Sequence, residues 1–131
     1  MSRELSLAEI FQLGYYWETK ILLTAVRLDV FSALDGRRKT AQEIARTIGA
    51  HEPSLTLLLN ALVALRLLDK QGETYGNSSA ASTHLVRQAP QYIGHLLLLH
   101  DAEWENWGRL EQAIRTGTRA VDRHVFETDP E

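Results

Sequence analysis

Apolar residues recur along most of the chain at the three- and four-residue spacing of helices, and one short stretch switches to the two-residue period of strands. Ser6-Leu7-Ala8-Glu9 has the form of a capping box, in which serine and glutamate satisfy each other's backbone N–H groups. Leu7, Ile10, Phe11, Tyr15, Trp17, Ile21, Leu22, Ala25 and Leu28 follow, so the spacing predicts one helix over 7–28, with Gly14 as a kink or a point of close packing. Asp29 is placed to cap a short turn, Val30 to Leu34, which Asp35-Gly36 ends, and Arg37-Arg38-Lys39 reads as a solvated loop. Thr40-Ala41-Gln42-Glu43 is a second capping box, and Gly49 stands where a left-handed C-terminal cap belongs. Pro53 fits the first turn of a third helix, which Leu55, Leu58, Leu59, Leu62, Val63 and Leu65 extend to about Leu68.

Between Leu67 and Asn77 the period changes to that of two short strands around a Gln71-Gly72-Glu73 turn. The order helix, turn, helix, hairpin predicts a winged-helix core. Ser78 to Arg87 reads as a short helix. Pro90 is expected to open a long helix over 91–116, with Ile93, Leu97, His100, Trp104, Trp107, Leu110 and Ile114 on its stripe and Gly117 as its stop. Residues 118–131 contain Val121, Val125 and Phe126 as their sizeable apolar groups and are expected to be a poorly ordered tail or linker.

The composition narrows the classes. A chain of 131 residues with 44% hydrophobic residues is one domain, or one domain with a tail, and is too apolar to be disordered. The absence of cysteine excludes disulfides, thiolate metal sites and a cysteine nucleophile. No apolar run approaches the ~18 residues of a membrane span. Glu9, Glu18 and Lys20 interrupt any signal-peptide core, so the default setting is cytoplasmic.

Catalytic signatures are missing. The histidines stand at 51, 84, 95, 100 and 124, without the i, i+4 spacing of a helical metal pair; His100-Asp101-x-Glu103 sends its three groups in different directions. There is no G-x-S-x-G, no G-x-G-x-x-G and no phosphate loop. These residues therefore predict no catalytic, metal or cofactor-binding residue, and the chain alone is expected to be inactive.

DNA binding is the rival reading, since a winged helix can present its second helix to the major groove. Between Pro53 and Leu67 the only charged residue is Arg66, with Ser54, Thr56 and Asn60 as further polar groups; Lys70 on the wing is countered by Asp69 and Glu73. Arg37, Arg38, Lys39 and Arg46 form a modest basic cluster ahead of the helix pair. A net charge of −3 also suits phosphate neutralisation poorly. No nucleic-acid partner is expected. Leucines at 55, 57, 58, 59, 62, 65 and 67 instead wrap the helix, which implies packing on several sides by the domain core or by a second chain.

Aromatic residues collect at Phe11, Tyr15, Tyr16 and Trp17, and again at Trp104 and Trp107, which share a helical face with His100. Three consecutive aromatics at 15–17 span most of a helical circumference, so some of them are expected to pack against another molecule.

Several segments taken in order resemble a known family. They are Ala25-x-x-Leu28-Asp29-Val30-Phe31-Ser32-Ala33-Leu34, Thr40-Ala41-Gln42-Glu43-Ile44-Ala45, Leu59-x-x-Leu62-x-x-Leu65-x-Leu67-Leu68, Tyr75-Gly76-Asn77-Ser78 and Trp107-x-x-Leu110-x-x-Ala113-Ile114-x-Thr116-Gly117. Together they resemble the N-terminal dimerisation domain of S-adenosylmethionine-dependent O-methyltransferases of the caffeate and polyketide type. Leu57-Leu58 departs from the pattern, because members often carry arginine there.

The resemblance implies a mainly α fold: a winged-helix core with a short two-stranded hairpin, and N-terminal and long C-terminal helices that form an intertwined homodimer. Residues 1–117 would be that domain, and 118–131 a linker toward a Rossmann-like catalytic domain that is absent from this chain. S-adenosylmethionine would belong to that absent domain, so the chain is expected to be a shortened form or a stand-alone relative. A small-molecule methyl acceptor would meet Tyr15, Tyr16, His100, Trp104 and Trp107. Leu7, Ile10, Phe11, Tyr15, Trp17 and Ile21 would lie in the dimer interface. The alternative function is a winged-helix transcription regulator.

Overall fold

Both capping boxes form. In the computed structural model, which describes residues 3–119, the Glu9 N–H donates to Ser6 Oγ at 3.2 Å and the Ser6 N–H donates to Glu9 Oε2 at 2.7 Å. This starts α1 (Leu7–Leu13). Thr40 and Glu43 repeat the arrangement at the head of α4 (Ala41–Ile48). Hydrogen bonds from the Thr40 backbone and then its hydroxyl hold the Glu43 carboxyl below the usual glutamate range.

The expected helix over 7–28 is two helices. α1 stops at Gly14, where tight turns take over: the Gly14 N–H donates to Phe11 O at 3.0 Å and the Tyr15 N–H to Gln12 O at 3.2 Å. Tyr16 adopts φ −131° and α2 (Trp17–Leu28) begins after it. Glycine at the break costs a helix about 1 kcal/mol relative to alanine. The aromatics that the break releases from helical spacing stack on one another, with Tyr15 and Trp17 ring centroids 4.5 Å apart.

Asp29 sits in the left-handed region at φ 58° between α2 and α3 (Val30–Ala33) and makes no side-chain cap, contrary to the sequence reading; its carboxylate faces Arg87 at 3.7 Å. The Arg37-Arg38-Lys39 stretch is also more than a solvated loop. Lys39-Thr40 forms β1, Lys39 Nζ donates to Ala33 O at 2.7 Å, and Arg38 bonds Asp69 and the Thr74 carbonyl.

α5 (Glu52–Ala64) carries Pro53 in its first turn and ends earlier than Leu68. Arg66 turns through φ 64°, and the Leu67 N–H closes back onto Leu62 O at 2.9 Å, which redirects the chain into β2 (Leu68–Gln71). With β3 (Thr74–Asn77) the sheet has three antiparallel strands in the order β1-β3-β2, not two. The hairpin register is Leu68↔Asn77 and Lys70↔Tyr75, and Lys39 also faces Tyr75 from the other side. A two-residue strand shows no alternation in the sequence; its pairing is made only across the fold.

α6 (Ser79–His84) follows, capped by the Ser78 hydroxyl accepting from the Ala81 N–H at 3.1 Å. Pro90 lies in turns and does not open a helix. The Ile93 N–H donates to His84 O at 2.9 Å, and α7 (Gly94–Ala102) starts only there. The long helix expected over 91–116 is three segments, α7, α8 (Trp104–Gly108) and α9 (Leu110–Thr116), with breaks at Glu103 and Arg109. Gly108 weakens the second junction through its low helix propensity. Gly117, at φ 68°, ends α9 as the sequence predicts. Of the expected tail, all but Thr118 and Arg119 lies outside the described residues.

One core unites α2 to α6. Val26, Val30, Phe31, Leu34, Ile44, Leu59, Leu62 and Tyr75 are almost wholly buried in it. Each large side chain removed from water there contributes roughly 1.5–3 kcal/mol. The buried Tyr75 keeps its hydroxyl satisfied by donating to Asn60 Oδ1 at 2.7 Å. α5 is less enclosed than its leucine content implies: Leu55, Leu59 and Leu62 are buried, whereas Leu57 is 74% exposed.

Candidate functional site

α2 packs along α7, and two ion pairs cross the seam. Asp101, on α7, is the one buried charged residue among those described. Its Oδ1 accepts from Lys20 Nζ at 2.9 Å and its Oδ2 accepts from Arg27 Nη1 at 2.6 Å, so two cations two helical turns apart on α2 converge on one carboxylate. A buried carboxylate requires such partners, since an unpaired one would revert to its neutral form. The hydrogen bonds from Lys20 and then Arg27 outweigh desolvation and hold Asp101 below the ordinary aspartate range.

The same ammonium has a second contact. Lys20 Nζ lies 4.7 Å from the centroid of the Trp104 ring, within cation–π range. Trp104 forms a wall of a concavity of about 480 Å³. Thr19 and Leu23, one turn apart on α2, supply another wall; His100 from α7 and Glu103, Trp107 and Gly108 complete it. A second concavity of about 300 Å³ shares Glu103 and Trp107 with the first and extends over Asn106, Leu110 and Ala113 toward Arg109 and Arg119. Trp107, 69% exposed, stands between the two. Surfaces dominated by tryptophan with a few polar groups suit flat, apolar molecules.

The fold therefore brings His100, Trp104 and Trp107 together. Tyr15 and Tyr16 do not line either concavity. They belong to a separate aromatic group, in which Phe11 meets Tyr15 edge-on at 6.3 Å and Tyr16 meets Trp17 at 5.7 Å. Leu7, Ile10, Phe11, Tyr15 and Trp17 are all exposed; Ile21 is half-buried against the chain's own core. Sequence reasoning missed Thr19, Leu23, Glu103 and Gly108. The four-residue spacing of Thr19 and Leu23 was a usable signal. Nothing local marked Lys20, Arg27 and Asp101 as a group, because the ion pairs join residues 81 and 74 positions apart.

The described residues contain no cluster of three or more histidine, cysteine, aspartate or glutamate side chains placed to hold a metal ion. No helix among them is long and apolar enough to cross a membrane. On α5 the polar groups are occupied locally: Ser54 Oγ with His51 Nδ1 at 2.9 Å, Thr56 with Glu52 O at 2.9 Å, and Asn60 with Tyr75.

Comparison with known proteins bears on the family and the fold. A family model described as the O-methyltransferase dimerisation domain matches residues 11–87. The tetracenomycin polyketide synthesis 8-O-methyl transferase TcmO of Streptomyces glaucescens is 40% identical over 108 residues, which are 81% of this chain and 32% of that protein. The N,N-dimethyltransferase OxyT of Streptomyces rimosus is 36% identical over 103 residues, covering 78% of this chain and 30% of that protein. The structure of an O-methyltransferase family protein from Burkholderia thailandensis superposes with a TM-score of 0.76 at 30% identity, covering 88% of this chain and 35% of that one. The chain thus spans about a third of the length of the relatives it matches. These relatives are methyltransferases, and nothing in them supports the DNA-binding alternative. The match over 11–87, with the identity to TcmO, places this chain in the O-methyltransferase dimerisation domain family.

Proposed function

We propose that this chain pairs two copies of an S-adenosylmethionine-dependent methyltransferase and shapes the pocket for a small-molecule methyl acceptor. The observation that carries the proposal is α1. No residue of α1 is buried, and Leu7, Phe11 and Leu13 are 77%, 64% and 78% exposed. A seven-residue helix cannot sustain itself in water, where isolated helices shorter than ~12–15 residues are marginal. Its stability must come from an apolar surface laid over it, and a second copy offers a matching one: α9 also has no buried residue, with Ile114 76% exposed.

On this reading the dimer is intertwined through α1, α2 and the α7–α9 segments, and α4, α5 and the hairpin are a winged-helix core put to a non-DNA use. Residues 1–117 are the dimerisation domain and 118–131 a linker. The acceptor lies against His100, Trp104 and Trp107, with a steric and apolar role for the rings and a hydrogen bond from His100. Tyr15 and Tyr16, which line neither concavity within one chain, would meet an acceptor across the dimer. A cytoplasmic setting fits this role.

S-adenosylmethionine supplies the methyl group in such an enzyme. The described residues do not fit it: the sheet is antiparallel and no Gly-rich loop follows a strand into a helix. This chain's part in the reaction is to hold the acceptor and exclude water, so that the nucleophile stands in line with the methyl carbon. Sedimentation equilibrium over a micromolar concentration range tests the pairing. A dimer is expected, and a well-folded monomer throughout that range would overturn the proposal.

A further inference from the structure

We propose that Lys20 is a positioning residue for the acceptor pocket: anchored by Asp101, its ammonium holds the Trp104 ring in place as a pocket wall. This rests on the reading that the concavity receives the methyl acceptor. Lys20 is the one residue of α2 that bridges both features, with Nζ 2.9 Å from Asp101 Oδ1 and 4.7 Å from the Trp104 ring centroid. Trp104 opens the five-residue segment α8, whose elements supply no buried residue of their own. Trp104 is half-buried, so packing restrains its ring on one side, and a directional contact selects among the orientations that the partial packing leaves open.

Asp101 makes that contact dependable. An exposed lysine samples many rotamers, but here a buried carboxylate takes its ammonium at hydrogen-bond distance while the same Nζ stays within cation–π range of the ring. Arg27 holds the second carboxylate oxygen, so Asp101 cannot swing away with Lys20. Loss of the lysine head group leaves Asp101 still paired with Arg27, which separates an effect on Trp104 from collapse of the seam. The consequence is one of selectivity: the position of one wall decides which ring systems fit between Trp104 and Leu23.

The test uses the 131-residue chain with Trp17→Phe and Trp107→Phe, leaving Trp104 as its one tryptophan. Emission and acrylamide quenching of Trp104 are compared for Lys20, Lys20→Met and Lys20→Arg, with circular dichroism and dimer mass recorded alongside. In the chain with its tryptophans intact, binding of 2-naphthol, a hydroxylated bicyclic aromatic, is followed by equilibrium dialysis. Lys20→Met is expected to shift Trp104 emission, raise its quenching constant about twofold and weaken 2-naphthol binding threefold to tenfold, with helix content and dimer mass unchanged. Lys20→Arg, which keeps a cation able to lie over the indole, is expected to restore most of both readouts. Unchanged emission, quenching and naphthol affinity in Lys20→Met would overturn the proposal, as would equal losses in Lys20→Met and Lys20→Arg that track helix content. If 2-naphthol fails to bind the unsubstituted chain, the acceptor reading falls, while Trp104 emission still decides whether Lys20 positions the ring.

Discussion

Arg27 Nη1 and Asp101 Oδ2 meet at 2.6 Å across the α2–α7 seam, joining a mostly exposed guanidinium to a carboxylate whose side chain is only 4% exposed. The asymmetry decides how the pair contributes. Removing a cation strands part of a buried charge, whereas removing Asp101 leaves two cations that can rehydrate. Asp101→Asn is therefore expected to cost about 1–2 kcal/mol, below the ~3–5 kcal/mol typical of breaking a fully buried pair. Urea unfolding at neutral pH measures it.

The pH dependence follows with a definite sign. The folded-state pKa of Asp101 lies below its unfolded value, so its contribution is complete above the ordinary aspartate range, near ~4, and is lost as pH falls through the folded value. The lowered Glu43 acts in the same direction. Melting temperature should fall on acidification below about pH 4, and the part due to Asp101 should be absent in Asp101→Asn. An identical acid profile for the two proteins would contradict this.

Phe11→Glu is expected to abolish or greatly weaken pairing without unfolding the core, because Phe11 is 64% exposed and α1 contributes no buried residue. Sedimentation should give a monomer whose α2–α6 helix content is retained. A stable dimer with glutamate at position 11 would place the interface elsewhere.

Two glycines at helix ends should respond oppositely to alanine. Gly49 caps α4 in the left-handed region at φ 71°, where a Cβ costs about 1–2 kcal/mol. Gly14 caps α1 at φ −84°, with ordinary space for a Cβ, so Gly14→Ala is expected to be neutral or to stabilise by a few tenths of a kcal/mol. Gly49→Ala should lower the melting temperature by roughly 4–8 °C, and Gly14→Ala should not.

Gly94 is constrained by proximity and not by conformation. A Cβ there would collide with the Tyr92 hydroxyl and the adjoining ring carbon, so the ring must move. Tyr92 packs edge-on against His95 at 4.9 Å, and Gly94→Ala should displace the Tyr92 ring from that contact with little loss of stability, since the clash is with the end of a half-buried side chain. The His95 ring proton shifts report the displacement directly.

In a longer methyltransferase that contains this domain, Trp104→Ala should change the preference among acceptors more than the affinity for S-adenosylmethionine. Calorimetry on the 131-residue chain should show no cofactor binding in the micromolar range. Unchanged acceptor kinetics in the first case would reduce Trp104 to packing, and micromolar binding in the second would overturn the division of labour proposed here.

Features that short-range chemistry settles are legible in the chain. The capping boxes at Ser6 and Thr40, the glycine stops at 49 and 117, the Pro53 start and the hairpin around Gly72 each depend on residues within about four positions of one another. Periodicity alone overran the helix breaks, because the apolar stripe continues through Gly14, Glu103 and Arg109 while the backbone turns there. Which distant residues meet is set by packing across the fold. β1 exists because Lys39-Thr40 finds an open edge of β3, and the tryptophan-walled concavity lies where α2 and α7 pack side by side, with Lys20 and Arg27 both meeting Asp101. The fold also left Tyr15 and Tyr16 outside the concavity that His100, Trp104 and Trp107 line, although the family resemblance set all five at one acceptor site. Local capping is encoded in neighbouring residues and can be read there; the pairing of a buried charge is selected by packing, and it becomes visible only when the helices that bear it are brought side by side.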